Sequence, residues 1–153
     1  MPDITPNHET IATEIAAELG REGPLLPILH RLQSRFGHVP EAAVPMIAEA
    51  LNIGRAEVHG VMSFYHDFLT VPAGRHMVKI CRAEACQAVG GVALAEGALA
   101  ALGTVWHGTS ANGAVTVEPV YCLGLCANGP AAMVDGKPMA AATVAKLAAE
   151  VGQ

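Results

Sequence analysis

The sequence is poor in positive charge, in aromatic residues and in long apolar runs. Lys and Arg together number 9, against 14 Asp and Glu, for a net charge of -5 over 153 residues. The basic residues are scattered, whereas sequence-independent binding to phosphate backbones needs a basic face. Nucleic acid is therefore excluded as the expected partner. No stretch of about 18 uncharged apolar residues occurs; Glu96 interrupts the longest candidate. No membrane span is expected, and a cytoplasmic location is. The opening MPDITPNHETIATEIAAEL has an acidic start and no basic segment ahead of an apolar one, so it does not read as a secretory signal. Gly90-Gly91 and Gly97 do not form G-x-G-x-x-G, and no strand leads into them, so no nucleotide-binding loop is expected. Aromatics make up 4% of the chain, yet Phe64, Tyr65 and Phe68 sit together, which marks that segment as an anchor.

Apolar residues make up 52%, enough for a folded core. Residues 8–22 read as an amphipathic helix, with Ile11, Ile15 and Leu19 four apart. Further helices are expected over 25–36, capped by Gly37, over 41–51 with Pro45 either in the first turn or at a bend, and after Gly54. The segment VPAGR at 71–75 breaks the pattern. Beyond it HMVKIC reads as a strand, 87–102 as an Ala-rich helix and VTVEPVY as a second strand. AAMVDGKPMA reads as a hairpin turning at Asp135-Gly136, and 141–151 as a closing helix. The expectation is an α+β protein: a helical docking domain at 1–70, then a small α/β domain at 76–153 of order β-α-β-β-β-α or one strand fewer.

The chain has four cysteines, Cys81, Cys86, Cys122 and Cys126. They form two close pairs, C-x4-C and C-x3-C, and each pair begins where a predicted strand ends. Strand ends and the loops after them are where a small α/β sheet presents its ligands, so both pairs are expected on one edge. Paired cysteines in a reducing compartment point to a metal site. Four thiolates in two pairs are what a [2Fe–2S] cluster needs, two sulfurs per iron. Structural zinc is the main alternative on spacing, although its spacers are most often two residues. A thioredoxin-type redox site would need C-x-x-C, which is absent, and disulfides would need an oxidising compartment. A cysteine nucleophile with His66 or His76 as base is a further reading, and four paired cysteines argue against it. The histidines, His8, His30, His38, His59, His66, His76 and His107, show no metal spacing and read as surface or half-buried residues. Lys79 and Arg82 flank Cys81, either as solvated charges or as a positive field beside the site.

GVMSFYHDF at 60–68, PAGRH at 72–76, the C-x4-C pair and YCLGLCANGP at 121–130 together carry a resemblance. The chain resembles the thioredoxin-like [2Fe–2S] ferredoxin family. That family includes the 24 kDa-type subunit of respiratory complex I and its counterparts in NAD-linked hydrogenases and formate dehydrogenases. CRAEACQAVG at 81–90 and VTVEPVYCLGLCANGPAAMV at 115–134 are most similar to the gamma-subunit branch of the NAD-dependent molybdenum formate dehydrogenases. The resemblance implies a thioredoxin-like α/β ferredoxin domain with one [2Fe–2S] cluster. Cys81 and Cys86 would bind one iron, Cys122 and Cys126 the other. It also implies an electron-transfer subunit, not catalytic alone, of a complex that oxidises formate to CO2 and reduces NAD+. The implied partners are an FMN- and NAD-binding beta-type subunit and a large molybdopterin-containing alpha-type subunit. FMN, NAD and molybdopterin have no binding signature in this chain. The equivalent subunit of complex I or of an NAD-linked hydrogenase is the alternative assembly, and a zinc-stabilised interaction module the alternative of another class.

Overall fold

The computed structural model describes residues 5–152. The outer limits of the two expected domains, residues 1 and 153, lie outside the described residues. The chain divides into two compact units, the first ending at Pro72 and the second beginning at Ala73.

The first unit is helical: α1 (His8–Ala16), α2 (Leu25–Phe36), α3 (Ala43–Leu51) and α4 (Arg55–Phe64). Asn7 caps α1, its side chain accepting the Thr10 amide at 2.9 Å while the Thr10 hydroxyl accepts the Asn7 amide. Gly37 closes α2 in the left-handed region at φ 76°, as its position after the last apolar residue predicts. Pro45 lies in the first turn of α3, where its missing N–H costs no helical bond. Ile11 and Ile15 of α1 meet Ile28, Leu29 and Leu32 of α2, Ile47 of α3, and Val58 and Met62 of α4 in one core. The first helix is shorter than expected. It ends at Ala16, and tight turns follow, with the Glu18 amide on the Ile15 carbonyl and the Arg21 amide on the Glu18 carbonyl. Leu19, the third position of the sequence pattern, is therefore 42% exposed and lies outside the core.

The second unit runs β1 (His76–Cys81), α5 (Glu84–Ala88), α6 (Gly91–Ala101), β2 (Gly108–Thr109), β3 (Val115–Val120), a 3-10 turn (Cys126–Asn128), β4 (Ala132–Val134), β5 (Lys137–Met139) and α7 (Val144–Glu150). The sheet order is β2-β3-β1-β4-β5. β1 and β3 are parallel and central, and the other pairings are antiparallel. A parallel pair needs a crossover, which α5 and α6 provide. Val78 and Ile80 alternate onto the face packed with Val115, Val117, Leu94, Ala98 and Leu147. The β4–β5 hairpin turns at Asp135 and Gly136, both left-handed (φ 48° and 80°), as a two-residue turn of this kind requires.

Three expectations change. The single helix read over 87–102 is two, because Gly90 takes φ 95° and starts α6 afresh. Cys86 therefore lies inside the short helix α5, ahead of the break. The two-residue strand β2 was not expected; it pairs Thr109 with Thr116 beside the turn signalled by Asn112-Gly113. The last helix begins at Val144 rather than 141, where the Thr143 hydroxyl accepts the Lys146 amide at 3.2 Å.

Candidate functional site

Parallel pairing of β1 with β3 builds the site. Cys81 ends β1 opposite Val120, the last residue of β3, and Cys122 follows two residues later. Both strands point the same way, so their ends deliver a thiol each to one edge of the sheet. The Cys81 amide bonds the Ala131 carbonyl at 3.0 Å and the Arg82 amide bonds the Val120 carbonyl at 2.8 Å, which fixes the strand end from both sides. α5 then brings Cys86 back toward the same edge, and Cys126 opens the 3-10 turn.

The two pairs differ in their surroundings. Cys81 and Cys86 are 2% and 1% exposed and form a small buried cluster with Ala131, flanked by Ala83, Val120, Leu123 and Leu125. Cys122 and Cys126 are exposed, with their sulfurs 3.7 Å apart. The Gly124 amide donates to Cys122 Sγ at 3.4 Å. Cys122 takes φ 94°, a conformation that costs a non-glycine residue on the order of 1–3 kcal/mol and that clusters at functional sites.

The thiols also act on one another. Burial pushes the Cys81 thiol up, but hydrogen bonds from the Ala83, Cys122 and Leu123 amides and from the Cys86 thiol outweigh it, so its pKa falls below the ordinary value. Burial and the bond it gives Cys81 hold the Cys86 proton on; the Ala131 amide works against them. Cys126 is raised first by its hydrogen bond with Cys122, then by the charges of Cys122 and, more weakly, of Cys81. The charge of Cys81 thus makes the Cys86 and Cys126 thiolates harder to form. A bound cation reverses that sense, since metals take thiolates and displace their protons.

Among the described residues no three His, Cys, Asp or Glu converge closely enough for a single metal ion. Four thiols in two pairs supply the two sulfurs per iron that a [2Fe–2S] core needs. The donor chemistry fits a [2Fe–2S] core: four soft sulfurs, with amide N–H groups aimed at Cys81 and Cys122.

Of the two histidines weighed as a base for a thiol, His66 is an exposed residue of the first unit and His76 belongs to β1. His76 opens β1 at the end away from Cys81 and bonds Asp135 Oδ2 at 2.8 Å, and His107 bonds Glu118. Arg82 does not stand as a bare charge, because its guanidinium lies 5.3 Å from the centre of the Trp106 ring. Lys79 faces Glu118 across the β1–β3 register. The aromatic segment is split: Phe68 is buried in the first unit against His30, at 4.9 Å between rings, whereas Phe64 is 73% exposed. The amide donors Ala83, Leu123 and Ala131 left no trace in the sequence, because every residue but proline carries that group.

The chain matches the family described as thioredoxin-like [2Fe–2S] ferredoxin over residues 10–152. It is 36% identical over 104 residues to a subunit of the NADH-quinone oxidoreductase of Pseudomonas aeruginosa, covering 68% of this chain and 63% of that one. It is 31% identical over 117 residues to the HndA subunit of the NADP-reducing hydrogenase of Solidesulfovibrio fructosivorans, covering 76% and 68%. Among solved structures, an NAD+-reducing [NiFe]-hydrogenase superposes with a TM-score of 0.70 at 26% identity, over 84% of this chain and 22% of the hydrogenase chain. The match thus spans under two thirds of the Pseudomonas relative and about a fifth of the hydrogenase chain.

Proposed function

The chain belongs to the thioredoxin-like [2Fe–2S] ferredoxin family, with one [2Fe–2S] cluster as its cofactor, and from that premise we propose that it is the one-electron carrier of an NAD(P)-linked oxidoreductase complex. The observation that carries this reading is the gathering of four thiols by two parallel strand ends, one pair buried and one exposed. Cys81 and Cys86 would hold one iron, and Cys122 and Cys126 the other. The cluster, when bound, supplies one-electron exchange at a potential set by its surroundings. The chain's own residues set those surroundings. The Ala83, Cys122 and Leu123 amides donate to Cys81, and the Gly124 amide donates to Cys122, which favours added negative charge. Ala131, Leu123 and Leu125 keep water from the buried pair. The exposed pair, Cys122 and Cys126, would turn the cluster toward an electron donor or acceptor.

Nicotinamides exchange two electrons and this carrier one, so a flavin-bearing partner subunit is required to join the two regimes. The helical unit ending at Pro72 does the docking, and a reducing compartment, the cytoplasm, suits four free cysteines. Among the described residues no helix is long and apolar enough to cross a membrane. The relatives named above favour assembly into an NADH:quinone oxidoreductase or an NAD(P)-linked hydrogenase. The second reading is the gamma subunit of a formate dehydrogenase with a molybdopterin-containing partner, favoured by CRAEACQAVG at 81–90 and VTVEPVYCLGLCANGPAAMV at 115–134. The purified native complex decides. NADH-driven quinone reduction or hydrogen-driven nicotinamide reduction assigns the first reading, and formate-driven NAD+ reduction the second. A complex with no iron on this chain would overturn both.

A further inference from the structure

Two glycines close on Cys86 from different segments, and neither is there for its backbone conformation. Gly129 has φ -70° and ψ 171°, ordinary extended values that any residue adopts. Gly91, the first residue of α6, is not among the left-handed glycines. Space explains both. A Cβ at Gly91 would lie 2.6 Å from the Cys86 carbonyl oxygen and 2.8 Å from its carbonyl carbon, which are backbone atoms that cannot swing aside. A Cβ at Gly129 would lie 2.9 Å from Val89 Cγ2 and 3.5 Å from Cys86 Sγ. The Val89 amide in turn bonds the Cys86 carbonyl at 3.3 Å. Val89 is 52% exposed, but its branched side chain is stiff at χ1, so a shift forced on it reaches the Cys86 carbonyl through that bond.

We propose that Gly91 and Gly129 are positioning residues that set the place of the Cys86 sulfur at the cluster, Gly91 through the Cys86 carbonyl and Gly129 through Val89. The proposal rests on the reading of Cys86 as a ligand. It gives a purpose to the Gly90-Gly91 pair, which no phosphate site claims, and to Gly129, forty-three residues beyond the cysteine it seats.

The test uses the full chain reconstituted with iron and sulfide. Iron content, EPR line shape and midpoint potential are read together with thermal melting. Gly129→Ala is expected to shift the EPR g-values and the potential and to lose its cluster to a chelator about 10-fold more readily, as changes next to metal ligands do. Gly129→Ala with Val89→Ala, which removes the clashing methyl, is expected to restore the native spectrum and potential. Gly91→Ala, whose clash is with backbone, is expected to lower iron content with no rescue by Val89→Ala. A native spectrum and potential in Gly129→Ala overturn the proposal, as does a defect, in folding or in spectrum, that Val89→Ala does not relieve. Rescue of a Gly129→Ala variant that fails to fold supports it. Cys86→Ala separates the two levels of the argument: a cluster retained there overturns the ligand assignment itself, whereas a cluster lost there beside a native Gly129→Ala overturns the positioning role alone.

Discussion

The two units solve the same problem with different material. The first buries long side chains: Ile11, Ile15, Ile28, Leu29, Leu32, Phe36 and Ile47 fill its core. The second buries smaller ones, with Ala95, Ala98, Ala114, Ala132 and Ala142 among the valines of its sheet, and it keeps a separate buried patch made of Cys81, Cys86 and Ala131. Apolar burial stabilises by about 25 cal/mol per Å2, so small side chains contribute less per residue ordered. A unit of this size with an alanine-rich core leans on whatever its cysteines bind, as small metal-binding domains do. The unit that carries the cysteines is thus the one whose fold is expected to depend on what they bind.

The sharpest break in that comparison comes from the cysteines. Alanine at Cys81, Cys86, Cys122 or Cys126 should abolish the cluster, because no fifth cysteine exists to replace the lost ligand. The reduced EPR signal reports it, and a full signal in any one variant removes that residue from the ligand set. Next in size is the response to chelation. Removing iron should speed amide hydrogen exchange over 76–140 and leave 8–62 little changed. Equal exchange in the two regions, before and after, would contradict the dependence argued for the second unit.

How much of this was legible in the sequence differs between the units as their cores do. The helices of the first unit announce themselves through spacing and caps, as at Gly37, because a helix is written in local contacts. The end of α1 was hidden because Leu19 continues the apolar period while the chain has already turned. In the second unit the cysteines and the strand ends were visible, since β1 and β3 are short apolar runs stopping at a cysteine pair. The break at Gly90 was masked by alanines that favour helix on both sides. The assignment of Gly129 to Cys86 could not be read at all, because it depends on a contact made only when the sheet edge closes.

Substitutions in the first unit sharpen the contrast from the other side. Leu29→Ala or Phe68→Ala, at buried positions, should cost about 2–5 kcal/mol and lower the melting temperature while leaving the cluster spectrum unchanged. Phe64→Ala, at a position 73% exposed, should leave melting unchanged and, on the docking role proposed for this unit, weaken association with the flavin-bearing subunit. Normal assembly by that variant would take Phe64 out of the docking surface.

The smallest expected effect is in acid. Burial pushes the Asp135 carboxyl up, but hydrogen bonds from His76 and the Met77 amide outweigh it and hold its pKa below the ordinary carboxylate value. The stability this gives the second unit is complete above the ordinary carboxylate pKa and is lost as pH falls through the lower folded value. Asp135→Asn should therefore lower melting slightly at neutral pH and flatten its decline in acid. An unchanged acid decline in that variant would place the proton elsewhere.

The most direct test of the central claim is the iron and acid-labile sulfide content of the anaerobically purified chain, taken with EPR after reduction. The account predicts two irons and two sulfides per chain, as a single [2Fe–2S] cluster contains, and one electron spin per chain in the reduced protein. A colourless protein holding one zinc and no sulfide would contradict it.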